Sequence, residues 1–325
     1  MAKPTKVKHH YITRYYLEGF ADGNKKVWTF NKLNPLNPFA NTATETAVIK
    51  KLYHLKDSDN IDQIEDFFSD EIEGPASDAF KELINLKFPN DTEREKLSLF
   101  FGMLMARTPS YIEHLNDQQT RQIQIIASTH AAEANNFRSL YKKIHPGLSN
   151  EEIEKDRKSI IDEEYKFDIN RDYLLNIMVK CGSIFSPLLL NMNWWLIKTN
   201  SQFPFITSDN FINVNHEDMT SLYKPGLGTP GVKVHIPVSS QLSLLLINDK
   251  TAKNDVIHDI DNPPFGADGK KIDVKKLITS INKQIYCTSD KYVFANSNSD
   301  RLKRCFSNIL EKAKLIEDIQ LKNHH

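Results

Sequence analysis

The stretch "NWWLIKTNSQFPFITSDNFINVN" (residues 193–215) marks the point where the chain changes character. It breaks into short β-rich runs, "NWWLIKT", "FPFIT" and "FINVN", separated by turn residues. "VKVHIP" and "LSLLLIN" continue the pattern downstream. Two helical patterns, around 273–288 and 299–316, follow with "KYVFANS" between them. Upstream the periodicity is helical. In "DNIDQIEDFFSDEIEG" (59–74), Ile61, Ile64, Phe68 and Ile72 recur at the spacing of one helix face. Gly74-Pro75 should kink or break that helix before "ASDAFKELINLK" resumes. "TEREKLSLFFGMLMAR" opens with a capping-box pattern, Thr92 to Glu95, and Thr108-Pro109 should end its helix. Pro109 can start the next, running toward Lys143. Ser149 to Glu152 fits a second capping box, and a further helix is expected over 171–190. Near the N-terminus "KKVWTFNK" alternates like a strand, "LNPLNPFANTATE" reads as a Pro/Asn-rich loop, and "VIKKLYHL" offers a second strand.

These elements predict an α+β fold with short N-terminal strands, a large central helical region, and a C-terminal, mostly antiparallel sheet with terminal helices. With no linker-like stretch, one integrated domain over 1–325 is expected: a His-His segment with strands to 55, helices over 56–190, and a β-rich part from 191. Lys+Arg and Asp+Glu number 42 each, so no global field draws the chain to nucleic acid or membrane. A nucleic-acid partner would have to be met by a local patch. Cys181, Cys287 and Cys305 are an odd set without Cys-x-x-Cys spacing, which argues against a disulfide framework or thiolate zinc. The apolar run 181–197 contains Pro187 and two Asn and reads as too interrupted to span a bilayer. No targeting segment is legible, and a cytoplasmic setting is the expectation. "KPGLGTPG" (224–231) lacks the Lys-Ser/Thr of a phosphate loop and reads as a lid.

The chemistry is concentrated in "VKHHYITRYYLEGF" (7–20). His9 and His10 are adjacent imidazoles, the commonest metal ligand and general base near neutral pH. Both can reach one ion only if the chain turns between them. Ile12, Tyr16 and Phe20 share a helical face, placing Tyr16 in the core. Arg14 points elsewhere and could hold a phosphate or carboxylate, or simply pair on the surface. Glu73, before Gly74-Pro75, reads as a carboxylate at an uncongenial helix C-terminus, where a bound cation would account for it. Its neighbours Glu65, Asp66 and Asp70 read as a solvated face. Arg107 ends an apolar helix, and burial would demand a carboxylate partner, Glu73 or Asp209. Ser208, Asp209 and Asn210 lie just beyond a strand end, where Asp209 could bind metal, act as base, or close an Asx-turn. His216, His235 and His258 have no partner at ligand spacing and read as surface or satisfied core residues.

"HHYITRYYLEGF" resembles the opening of the family of unknown function DUF4238, His-His-x-Ile-Pro-Arg-x-Tyr-Leu-x-x-Phe, with Thr13 where Pro is usual. "IEGPASDAF", "MARTP" and "INKQIYCTSDKYVFA" are similar to later family elements, as is "FITSDNFI", with Phe211 in place of Pro. The resemblance runs across nearly the whole chain. It implies one integrated unit and a map of positions, and no established activity.

Two functional expectations follow. In the first, His9, His10, Glu73 and Asp209 converge on a divalent metal, Mg or Mn before Zn, while Arg14, Arg107, Ser208 and Asn210 hold an anionic substrate. That constellation suits metal-assisted hydrolysis of a phosphodiester, as in a nuclease acting against mobile genetic elements. In the second, the same His, Arg and Asp groups form a structural polar network in a non-catalytic binding protein. A metal-free enzyme with a histidine base is a third course.

Overall fold

The computed structural model describes residues 6–218, 225–263 and 271–323. His324, His325 and Lys224, the first residue of the expected lid, lie outside them. The first strand, β1 (Lys8–His10), ends just before a short helix, α1 (Arg14–Glu18). Strands β2 (Lys26–Asn31), β3 (Asn34–Thr42) and β4 (Val48–Lys50) follow. β4 returns antiparallel to β1, with Ile49 opposite His9. The Pro/Asn-rich segment is therefore a strand and not the expected loop. Its prolines are tolerated because β3 is an edge strand, paired to β2 alone, where a missing N–H costs no ladder bond.

The helix expected to break at Gly74-Pro75 runs on. α2 (Gln63–Phe67) passes into a π-helical turn, Phe68–Glu73, which passes directly into α3 (Gly74–Ile84). Pro75 is accommodated where the π-helical turn hands over to α3. Glu73 has helical backbone (φ −74°, ψ −45°) and lies inside this continuous run, not at a helix C-terminus. α4 (Asp91–Ala106) starts earlier than expected. Its capping box is Asn90 with Glu93: Asn90 Oδ1 accepts from Glu93 N at 3.0 Å, and Glu93 Oε2 accepts from Asn90 N at 2.9 Å. Asn90 caps as well as Thr92 would and adds half a turn of helix.

The chain forms two compact units, Met1–Thr108 with Val179–His325, and Pro109–Met178. The central helical region of the sequence reading is thus shared between them. The second unit holds α5 (Pro109–Ala132), α6 (Ala134–Ile144), α7 (Asn150–Ile161) and the start of α8 (Arg171–Leu190). The single helix expected from Pro109 to Lys143 is interrupted at Glu133. The Ser149–Glu152 capping box forms as expected. Ala131, Phe137 and Ile153 make this unit's core.

α8 is, by length and composition alone, apolar enough to cross a membrane, with a mean hydropathy of 1.5. Within the first unit, Gly182 of α8 meets Gly102 of α4 backbone to backbone: a Cβ on Gly102 would stand 2.6 Å from the Gly182 carbonyl oxygen. Only glycine at both positions permits that approach.

The β-rich part supplies β5 (Asn193–Lys198), β6 (Thr207–Ser208), β7 (Asn213–Asn215), β8 (Lys233–Ser239), β9 (Leu242–Ile247) and β10 (Val256–Asp259). α9 (Val274–Thr288), β11 (Tyr292–Ala295) and α10 (Asp300–Asn323) complete the described chain. One sheet has the order β10-β5-β9-β8-β7, and the other β3-β2-β11-β6. Pairing is antiparallel except for β10 on β5, a strand the sequence reading missed. β9 is buried along its whole length, which explains its unbroken apolar run. The second sheet links N-terminal and C-terminal strands. It joins N-terminal β2 to C-terminal β11 and lays β6 beside β11, delivering Asp209 to the start of β11.

Candidate functional site

On β1, neighbouring side chains leave on opposite faces, and the two histidines part company there. His9 is fully buried. Its Nδ1 accepts the Tyr53 amide at 2.9 Å, so in the neutral ring the proton sits on Nε2, which donates to the Lys6 carbonyl at 3.0 Å. Burial lowers its pKa, keeping it neutral. His54 Nε2 donates to the same Lys6 carbonyl at 2.7 Å and lies 3.1 Å from Asp62 Oδ1. Ligand atoms of His9, His54 and Asp62 fall within 4.8 Å of one another, the one such His/Cys/Asp/Glu group among the described residues. Spacing alone would allow an ion. The tautomer opposes it, because the lone pair of His9 faces the Tyr53 amide and Nε2 carries a proton.

His10 faces the other way. Its Nε2 donates to the Thr44 carbonyl at 3.0 Å, which in the neutral ring leaves the lone pair on Nδ1. Burial lowers its pKa most, with Arg107 also lowering it, while the Thr44 carbonyl, Glu73 and the Ala43 carbonyl oppose them. Arg107, 1% exposed, is the centre of this face. Its Nη1 donates to Glu73 Oε1 at 2.7 Å and its Nε to the Tyr11 carbonyl at 3.2 Å. Its own carbonyl accepts the Tyr53 hydroxyl at 2.8 Å, and its guanidinium carbon lies 4.9 Å from the Phe68 ring centre. Nη2 has no partner. Nor have the buried hydroxyl oxygens of Thr13 and Tyr15. The Tyr15 ring is stacked on Phe100 at 5.3 Å and edge-on to Phe80. Its hydroxyl feels the charges of Glu73 and Arg107, and burial keeps it protonated.

Glu65, on α2, belongs to this cluster and not to the solvated face it was expected to share. Burial pushes its carboxyl up to about 7, with Arg107 pulling down and Glu73 pushing up. A signal for it existed: Glu65 follows Ile64 and precedes Phe68 by three, so it borders the apolar stripe. Thr13, Tyr15, Tyr53 and His54 carried no comparable signal.

The remaining expected residues lie elsewhere. Arg14 is largely exposed and pairs with Glu18 at 3.2 Å, one helical turn on. Asp209 is buried, and its carboxylate accepts three backbone amides, Asp290 at 2.8 Å, Lys291 at 2.6 Å and Tyr292 at 2.7 Å. It is a staple on the start of β11 rather than an Asx-turn on its own loop. Ser208 Oγ accepts from Asn210 N at 3.2 Å, and Asn210 Nδ2 donates to the Thr288 carbonyl at 3.1 Å. The structure therefore gathers His10, Glu73 and Arg107, adds Glu65 and Tyr15, and gives His9 and Asp209 local partners. His216 is bonded on both nitrogens, whereas buried His235 leaves Nδ1 unpartnered and His258 leaves both nitrogens so.

The profile of a protein family of unknown function, DUF4238, matches residues 8–299, and the chain belongs to that family. Neither the search of curated proteins nor that of solved structures found a match.

Proposed function

We propose that this DUF4238 member is a hydrolase acting on an anionic substrate, with His10 as general base and Glu65 as general acid. The observation that carries the reading is the orientation of His10: the Thr44 carbonyl accepts from Nε2–H, so the neutral ring carries its basic lone pair on Nδ1. In the proposed reaction Nδ1 takes a proton from water, the hydroxide attacks the ester, and protonated Glu65 returns a proton to the leaving oxygen. Arg107 offsets the negative charge that develops. A phosphodiester, as in a nuclease, is the substrate class expected from the sequence, and a role against mobile elements remains part of that proposal.

The pH profile tests it. With chromogenic nitrophenyl esters as probes, kcat/KM should fall on the acid side as His10 protonates, below the ordinary histidine value near 6.5. On the alkaline side it should fall as Glu65 ionises near about 7. Glu65→Gln should lose the alkaline limb and about 10²-fold of rate. Stability gives a second readout. A carboxyl raised in the folded state contributes stability that is complete below its unfolded pKa and lost as pH rises through the folded one. Glu65→Gln should therefore unfold less readily than the parent at pH 8, by roughly 2–3 kcal/mol. A profile unchanged by the substitution would sink the acid role.

A divalent-cation reading retains one observation, the spacing of His9, His54 and Asp62. Its imidazole-rich donor set suits Mn or Zn over Mg. With both His9 nitrogens committed, protein dialysed against Mn²⁺ or Zn²⁺ is expected to keep no stoichiometric ion. One equivalent retained by the parent and lost in His54→Ala would put metal-assisted hydrolysis first.

A further inference from the structure

We infer that Arg107, Tyr15 and Thr13 form a dry seat for a tetrahedral oxyanion, the phosphoryl group of a phosphate ester. The inference rests on the hydrolase reading above and names its substrate class from the donors themselves.

Three buried polar atoms of the first unit have no partners: Arg107 Nη2, the Tyr15 hydroxyl and Thr13 Oγ. The Tyr15 hydroxyl lies beside Thr13 and within the field of Arg107. Folded proteins rarely leave such groups unpaired, because each forfeits its hydration without return. Thr13 declines an obvious partner. It occupies the N-cap position of α1 with extended backbone, yet its hydroxyl makes no capping bond. The Thr13 and Tyr15 hydroxyls are near enough to interact, at a separation or angle outside the limits of a hydrogen bond. All three groups can donate. The Tyr15 hydroxyl stays protonated because burial and the nearby Glu73 charge disfavour the phenolate.

The occupancy of the guanidinium selects the ligand's shape. A planar carboxylate is gripped by two N–H groups side by side, Nη1 with Nη2 or Nε with Nη2. Nε–H is taken by the Tyr11 carbonyl, which closes the second pair, and Nη1 gives one of its two N–H groups to Glu73 Oε1. Nη2 keeps both of its N–H groups, which point in different directions. Hydroxyls from a different segment then serve oxygens pointing in other directions, which a phosphoryl group has and a carboxylate lacks.

Calorimetric titration of the full chain with inorganic phosphate, and with acetate as the planar control, tests the seat. Tyr15→Phe and Thr13→Val each remove one hydroxyl and keep its volume. Each should weaken phosphate binding about 5- to 10-fold, the worth of one hydrogen bond. Each should also leave the melting temperature equal or higher, since an unpartnered buried hydroxyl is lost. Acetate should bind no better to the parent than to the double variant. Absence of phosphate binding by the parent, unchanged affinity in the double variant, or a melting temperature lowered by either substitution would overturn the seat. If phosphate binds as described but no ester is turned over, the seat stands and the hydrolase reading falls. If esters are hydrolysed with the same KM by the double variant, the reverse holds.

Discussion

Replacing His10 by glutamine is expected to cut turnover of the ester probes about 10³-fold, the usual cost of losing a positioned general base. The glutamine amide can still donate to the Thr44 carbonyl, so the local hydrogen bond survives while the basic lone pair disappears. Stability should change by no more than about 1 kcal/mol. The two classes of function part at this substitution. A purely structural network predicts the opposite pattern, with folding impaired and no turnover to lose. If His10→Gln melts far below the parent, or hydrolyses the probes at the parent's rate, His10 is not the base.

Arg107→Met should be the most destabilising single change in this region. Methionine matches much of the arginine's volume, so the loss is one of charge and hydrogen bonds rather than of space. The guanidinium holds Glu73, the Tyr11 carbonyl and the Phe68 ring, tying the π-helical turn to the segment that follows β1. Removing one partner of a buried ion pair typically costs 3–5 kcal/mol, because the other charge stays desolvated. Glu73 is 26% exposed and can rehydrate, so a loss of about 3 kcal/mol is expected in denaturant titration at pH 7. Glu73→Gln, which leaves a neutral acceptor for Nη1, should cost less than half as much. A loss below about 1 kcal/mol in Arg107→Met would mean that the arginine is held for ligand alone.

These two residues also show why the site was only partly legible. His10, Glu73 and Arg107 stood out as reactive types in odd places, and the fold brings them together. His9 stood out equally, and its two nitrogens meet the Tyr53 amide and the Lys6 carbonyl, which no local pattern shows. Asp209 accepts three amides at the start of β11, a geometry set equally far along the chain. Glu65 looked solvated, and the upward push on its carboxyl comes from burial, with Glu73 adding to it and Arg107 opposing.

Periodicity, capping chemistry and turn residues act over a few neighbours. The sequence by itself therefore determined the α+β character, the helix at 171–190, the Ser149 cap and most strands of the larger sheet. The edge-strand prolines and the uninterrupted passage through Gly74-Pro75 needed tertiary neighbours, since an edge position and a π-helical turn are defined by what lies beside them. So did the chemistry. Which nitrogen of a histidine carries the proton, which carboxyl stays protonated, and which arginine nitrogen has nothing to hold all depend on groups dozens of residues away, and only folding sets those distances.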